Sequence, residues 1–351
     1  MQIPRENLKP SRQASSNGAK TSSSPSSGAT DFDINLRPRR WDEYLGQEKL
    51  KNNLHIIIEA AKKRQEPLEH LLFYGNSGLG KTTLANVIAS EAGRGITTCT
   101  GPSLEKVGDV ASILTNLEDG QILFIDECHR LHKSTMEMLY SAMEDFTLHI
   151  ILGKGPMART MELSLPHFTI IAATTRMALL SAPFRNRFGA IFQFDFYEQA
   201  DIEKIIQRSA QILRTEITPA AIRTIASRSR FTPRVANRLL KRVRDVATIR
   251  AQKTITEEMA QKALDSLEID EVGLESGDRK ILDALITRFS GGPAGIQALA
   301  AASSEEQDTI LDIYEPYLLQ LGFIERTPRG RVATKRAYKH LGITKNQEEL
   351  L

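Results

Sequence analysis

The chain has 351 residues, enough for two or three domains with cores of their own. Its 41% hydrophobic and 25% charged content is that of a globular protein, and a net charge of +3 is too small to define a nucleic-acid partner alone. The two cysteines, Cys99 and Cys128, exclude a disulfide framework and a CxxC metal pair, and suit core thiols in a reducing cytoplasm.

Residues 1–30 are rich in Ser, Gly, Asn and Lys and lack an apolar h-region, so a disordered tail is expected there rather than a signal peptide or membrane anchor. No later stretch approaches the roughly 18–20 apolar residues of a membrane span. From 31 to 197 short apolar runs alternate with amphipathic helical patterns. The expected strands are Leu71–Tyr74, Ile96–Cys99, Gln121–Ile125, Thr169–Ala173 and Ile191–Phe194, with helices such as Ser103–Leu117 and Lys133–Asp145 between them. That alternation predicts an α/β domain with a parallel sheet. Two alternating runs flank Gly153-Lys154-Gly155-Pro156, which predicts an inserted β-hairpin over 146–165. Residues 198–272 read as a small all-helical domain, with Thr218-Pro219 and Thr232-Pro233 as cap-plus-proline helix starts. In 273–345, helices around Arg279–Phe289 and Glu305–Leu321 precede two short strands joined by Thr327-Pro328-Arg329-Gly330, the order of a winged helix. Residues 346–351 are left as a short tail.

The run from Gly75 to Thr82, GNSGLGKT, matches every fixed position of a P-loop and lies between an expected strand and an expected helix. Glycines let the backbone curl its N–H groups inward at a phosphate chain. Lys81 then reaches the β/γ-phosphates, and the Thr82 hydroxyl serves Mg²⁺. About 45 residues on, Leu123-Phe124-Ile125 runs into Asp126-Glu127, a strand ending in two acids. Asp126 suits the Mg²⁺ shell and Glu127 the attacking water. A plain connecting turn would explain neither the lysine nor the hydroxyl. An acidic pair at a strand end also serves to cap a following helix, but its combination with the P-loop at this separation favours the catalytic reading. Thr175, in Ala172-Ala173-Thr174-Thr175-Arg176, ends the next core strand and offers a hydroxyl near the γ-phosphate. Arg185 and Arg187 sit in a surface-type turn, either as solvated charges or as a finger reaching a neighbour's γ-phosphate. Arg234 opens a helix whose dipole it opposes, which points to a bound phosphate.

Together these motifs resemble the AAA+ ATPases. The segments LRPRRWDEYLGQ, GLGKTTLANVIA, LFIDECHRL, AATTR, APFRNRFG, TPRVANRLLKRVRD and EPYLLQLGFIERTPRGR are similar to the RuvB family, from about Leu36 to His340. The resemblance implies an AAA+ P-loop domain, a helical lid and a winged helix. It also implies a hexameric ATPase that uses ATP and Mg²⁺ to drive branch migration of four-way DNA junctions in recombination and repair. Its partners would be a RuvA-type junction-binding protein, docked on hairpin 146–165, and a junction-resolving nuclease. By motif, nucleotide contacts fall to Leu36, Arg37, Gly78, Gly80, Lys81, Thr82, Thr83, Tyr197 and Arg234, and to Glu144, Asp145 and Phe146. Thr175 becomes the first sensor and Arg187 the trans finger, with Arg185 as the alternative. The chain departs from the family at Asn76-Ser77, where two prolines are usual and where a more flexible loop is expected, and at Cys128, where some redox sensitivity is expected. The Ser-rich extension has no counterpart.

In the expected wing, Arg326, Arg329 and Arg331 surround a Pro-Arg-Gly turn, followed by Lys335, Arg336 and Lys339. Such a turn enters a groove while its cations meet phosphates, without reading sequence. A second cluster, Arg228, Arg230, Arg234, Arg238, Lys241, Arg242 and Arg244, reads mainly as subunit or nucleotide contacts. Two other readings stay open: a different AAA+ DNA machine, such as a clamp loader or replication initiator, and a nucleotide-gated DNA-binding regulator.

Overall fold

The computed structural model describes residues 35–152 and 159–343. The expected tails at 1–30 and 346–351, and the Gly153–Pro156 turn, lie outside the described residues.

The first domain is built on strands β1 (Leu71–Tyr74), β2 (Ile96–Thr100), β3 (Ile122–Asp126), β6 (Thr169–Thr174) and β7 (Ala190–Gln193), in the spatial order β2-β3-β6-β1-β7, all parallel. Strands β4 (Thr147–Leu152) and β5 (Arg159–Ser164) form a separate antiparallel hairpin. Helices α1 (Glu48–Arg64), α2 (Lys81–Glu91), α3 (Val107–Thr115) and α4 (Lys133–Asp145) connect and cover the sheet. The central strands are apolar at consecutive positions because both faces are covered. The alternation of side chains sorts them into two cores. Leu71 and Phe73, Ile122 and Phe124, and Ile171 and Ala173 face one; Leu72, Leu123, Ile125, Ile170 and Ala172 face the other.

The expected helix over Ser103–Leu117 is shorter, because a 3₁₀ turn at Gly101–Ser103 and an extended Lys106 precede α3. Cys128 is fully buried, and burial pushes its thiol well above the ordinary range, so the redox sensitivity expected of it is not supported. Cys99 is likewise pushed up to about 12 by burial.

Helices α5 (Gln199–Ile212), α6 (Pro219–Ser227), α7 (Pro233–Ile249) and α8 (Glu257–Asp265) form the lid. Thr218 caps α6 by accepting from the Ala221 N–H, whereas the Thr232 hydroxyl turns back to the Ser229 carbonyl and leaves the α7 start open. The lid's apolar faces join the core that carries Leu71, Phe73 and Phe124, so the lid docks on one face of the sheet. Much of the second basic cluster is closed within the chain. Arg228 is buried against Asp265 (2.7 Å), and Arg230 is buried against Asp278 (2.9 Å) and stacked over Tyr317. These two are corrected from subunit or nucleotide contacts to internal ties.

The third domain has its own core around Leu282, Leu285, Leu318 and Phe323. Helical segments at Ser276–Asp283, Ile296–Ser303 and 307–320 lead into antiparallel strands β8 (Ile324–Thr327) and β9 (Gly330–Ala333), with Arg326 opposite Arg331. Parallel-sheet P-loop domain, lid and winged helix follow one another as the sequence predicts.

Candidate nucleotide-binding site

The P-loop leaves the C-terminal end of β1, and its shape needs glycine at two points. Gly75 has φ 145°, and a Cβ there would sit 2.6 Å from the Phe194 carbonyl oxygen. Gly80 caps α2 at φ 97°, with a Cβ position 2.8 Å from the Tyr44 hydroxyl. Lys81 is buried and donates to the carbonyls of Gly75 (2.7 Å) and Asn76 (2.8 Å). Burial lowers its pKa to about 8, against the opposing pull of Asp126 and Glu127. A desolvated cation held only by neutral carbonyls is set to receive an anion.

Thr82 donates from its hydroxyl to Asp126 Oδ2 at 2.9 Å, so two hard oxygen donors meet at the P-loop. That donor set fits Mg²⁺, which takes one or two protein oxygens and completes its shell with phosphate and water. The next residue, Glu127, is held in the left-handed region at φ 51°, unusual for a glutamate and common where strain serves a site. Its carboxylate meets the Thr175 hydroxyl at 3.4 Å and His129 Nδ1 at 3.3 Å. Burial, and then the Asp126 charge, raise its pKa. A carboxylate with raised proton affinity, beside the metal-type oxygens, can orient and deprotonate water.

Lys81, Thr82, Asp126 and Glu127 line a cleft of about 470 Å³ that also includes Leu36, Arg37, Gly78, Gly80, Thr83, Tyr197 and Arg234, while Thr175 stands behind it on Glu127. The volume suits a nucleotide-sized ligand. Tyr197 hydroxyl reaches Tyr44 (3.2 Å) and the Leu79 carbonyl (3.3 Å), fixing the loop from the lid side. Arg234 donates to the Ser77 hydroxyl at 3.0 Å, so Ser77 positions this cation in a way proline could not.

Four residues absent from the sequence-based set belong here. Tyr44 and Asn237 line the cleft, Arg208 clamps the Leu36 carbonyl (2.9 Å) and Glu43 (3.0 Å), and His129 buttresses Glu127. Only His129 carries a sequence signal, its position just past the acidic pair; the others depend on chain folding.

Glu144, Asp145, Phe146, Arg185 and Arg187 are not brought into this cleft. Phe146 packs on His70 and Phe168, and Gly189 bonds the His70 carbonyl. His70 precedes β1 and the P-loop follows it, so the strand's rise of about 13 Å separates them. Phe184 and Phe188 are buried as a ring pair 5.1 Å apart, which turns Arg187 outward to Glu144 (2.6 Å).

The hairpin packs in part on its own domain. Leu148 is fully buried in the chain's own core, and Ile150 and Leu163 pack beside it. Met161, opposite Ile150, is 41% exposed. In the wing, Arg326 and Arg331 each grip the buried Glu315 through two hydrogen bonds, while Arg329 stands exposed at the turn.

The P-loop, the paired acids, the strand order and the helical lid define an AAA+ ATPase. Family models described as the Holliday junction DNA helicase RuvB P-loop domain, the RuvB AAA lid domain and the RuvB C-terminal winged helix domain match residues 36–194, 197–270 and 271–342. The chain is 56% identical over 312 residues to the Holliday junction branch migration complex subunit RuvB of Dehalococcoides mccartyi, covering 89% of each chain. It is 55% identical to the protein of the same name from Thermomicrobium roseum, covering 93% of this chain and 92% of that one. The solved Thermotoga maritima RuvB, titled a Holliday junction branch migration motor, superposes with a TM-score of 0.82 at 49% identity, over 88% of this chain and 99% of that one. The chain belongs to the RuvB family.

Among the described residues no helix is long and apolar enough to cross a membrane.

Proposed function

We propose that this chain is an ATP-driven motor that moves the branch point of Holliday junctions, working as one subunit of a ring with a RuvA-type junction-binding partner. The observation that carries the ATPase reading is the junction of Lys81, Thr82, Asp126 and Glu127 in one cleft, with Glu127 strained and buttressed. ATP binds with its phosphates on the loop N–H groups and Lys81, its sugar and base side against Leu36, Arg37 and Tyr197. Thr82 and Asp126 would hold Mg²⁺, which when bound would supply neutralisation of phosphate charge. Glu127 takes a proton from the attacking water, and Thr175 keeps that carboxylate in line. Arg234 reports the γ-phosphate to the lid through α7.

Arg187 acts in trans. It lies at the opposite strand end from its own P-loop, so it completes the site of the next subunit. Glu144, Asp145 and Phe146 share that surface and serve the neighbour's nucleotide with it; Arg185, half-buried, is the weaker candidate. The ring is a hexamer, hairpin 146–165 meets the RuvA-type partner, and a junction-resolving nuclease joins the assembly. Arg326, Arg329 and Arg331 touch DNA phosphates without reading sequence.

Arg187→Ala is expected to bind ATP but lose roughly 10³- to 10⁵-fold of its hydrolysis rate. Mixing it with Lys81→Ala subunits pairs an intact site with an intact finger, and steady-state phosphate release should partly recover. No recovery at any mixing ratio would remove the trans role.

A further inference from the structure

The helical run over 307–320 is gripped by arginines from two different functional regions, at carboxylates one turn apart near its middle. Arg176 of the ATPase domain forms a two-pronged pair with Asp312 (2.7 and 2.6 Å) and reaches Asp308 (3.1 Å). Three residues beyond Asp312, Glu315 holds Arg326 and Arg331 of the wing. Asp312 itself sits in a π-turn at Ile310–Tyr314, which Glu315 directly follows. Pro316 has no N–H for the Asp312 carbonyl four residues back, which accounts for the widened turn at this point.

Arg176 also connects inward. It directly follows Thr175, and its backbone N–H donates to the Thr174 hydroxyl (2.9 Å). That same hydroxyl contacts His129 Nδ1 (2.9 Å), the ring that lies against Glu127. A displacement of Arg176 is therefore passed to both groups that hold the Glu127 carboxylate. The pair lies 136 residues apart in sequence, and all three side chains are at least partly exposed, so it is a clasp that can open without breaching a core.

We propose that run 307–320 is the lever joining DNA contact at the wing to the ATP site, with Arg176 a positioning residue for Glu127 and the Asp308–Asp312 carboxylates its handle. A duplex phosphate that draws Arg326 and Arg331 from Glu315 releases the residue directly after the π-turn, and the turn that carries Asp312 then shifts its hold on Arg176. The inference rests on the reading of this cleft as an ATP-hydrolysing site and of the wing as a DNA contact.

The test uses the full chain, with duplex DNA as the probe. kcat and KM for ATP are measured with and without saturating duplex, for the wild type and for Asp308→Asn combined with Asp312→Asn, and duplex affinity is measured for both. The lever predicts that duplex changes the wild-type kcat and that the double variant loses this response by roughly fivefold or more. KM for ATP and duplex affinity should stay at wild-type values, which a general loss of structure would not allow. A double variant that keeps the wild-type response, or a wild type whose kcat ignores duplex, overturns the lever. No ATP turnover by the wild type would instead overturn the underlying site reading and the lever with it. If the double variant fails to bind duplex, Arg176→Lys, a point charge in place of a planar fork, is read for the same ratio. An intermediate ratio supports the lever and a wild-type ratio overturns it.

Discussion

The P-loop and the proposed DNA-contacting wing both carry cations, but they hold them in opposite ways. Lys81 rests on neutral carbonyls of its own loop, so an incoming phosphate displaces weak acceptors and finds a desolvated charge. Arg326 and Arg331 rest on a buried carboxylate, so a DNA phosphate must compete with Glu315. Burial pushes Glu315 up, yet the two guanidiniums together hold it below the usual carboxylate range, and it stays charged. The first arrangement favours tight capture of one ligand. The second favours weak, reversible contact, as a protein moving along a duplex requires.

Lys81→Ala removes the desolvated cation of the P-loop, and ATP affinity should fall on the order of a hundredfold, about 3 kcal/mol, by calorimetric titration. A loss of only a few-fold would mean the loop N–H groups alone hold the phosphates.

Arg230 and Asp278 form an intermediate case at the join of lid and third domain, with a carboxylate whose burial raises its pKa to about 6 despite the adjacent cation. A raised carboxyl pKa means that the folded state binds the proton more tightly than the unfolded chain. This group's contribution to stability is thus fully present below about pH 4 and is lost as pH rises through about 6. Urea unfolding of the wild type against Asp278→Asn should show the wild type losing on the order of 1 kcal/mol relative to the variant between pH 4.5 and 7. A constant difference over that range would contradict the shift.

The smallest effect is expected at the wing. Glu315→Gln frees one positive charge towards the duplex, and the slope of log affinity against log salt should steepen by about one. An unchanged slope would mean that Glu315 does not compete with phosphate.

The two regions were also unequally legible in the sequence. Lys81, Thr82, Asp126 and Glu127 follow from contiguous strings, because phosphate binding fixes residue type and spacing on one strand–loop–helix unit. The wing's arginines could be counted, but not their partner: Glu315 lies 11 and 16 residues before them, in a segment that reads simply as helix. The hairpin's alternation is plain in the sequence but not that Leu148 turns into the chain's own core, because alternation fixes which residues share a face and not which face is covered. Tyr44, Arg208 and Asn237 enter the cleft only through docking of the lid and the leading segment, contacts that no local pattern encodes.

The most direct test is displacement of a labelled arm from a synthetic four-way junction, with ATP and Mg²⁺ and a RuvA-type partner, using Glu127→Gln as control. The account predicts arm exchange that needs ATP, the partner and Glu127 together, with the variant still binding ATP but slowed roughly 10²- to 10⁴-fold. Hydrolysis that depends on Glu127 while the junction stays intact would contradict the assignment as a branch-migration motor and leave the ATPase chemistry standing alone.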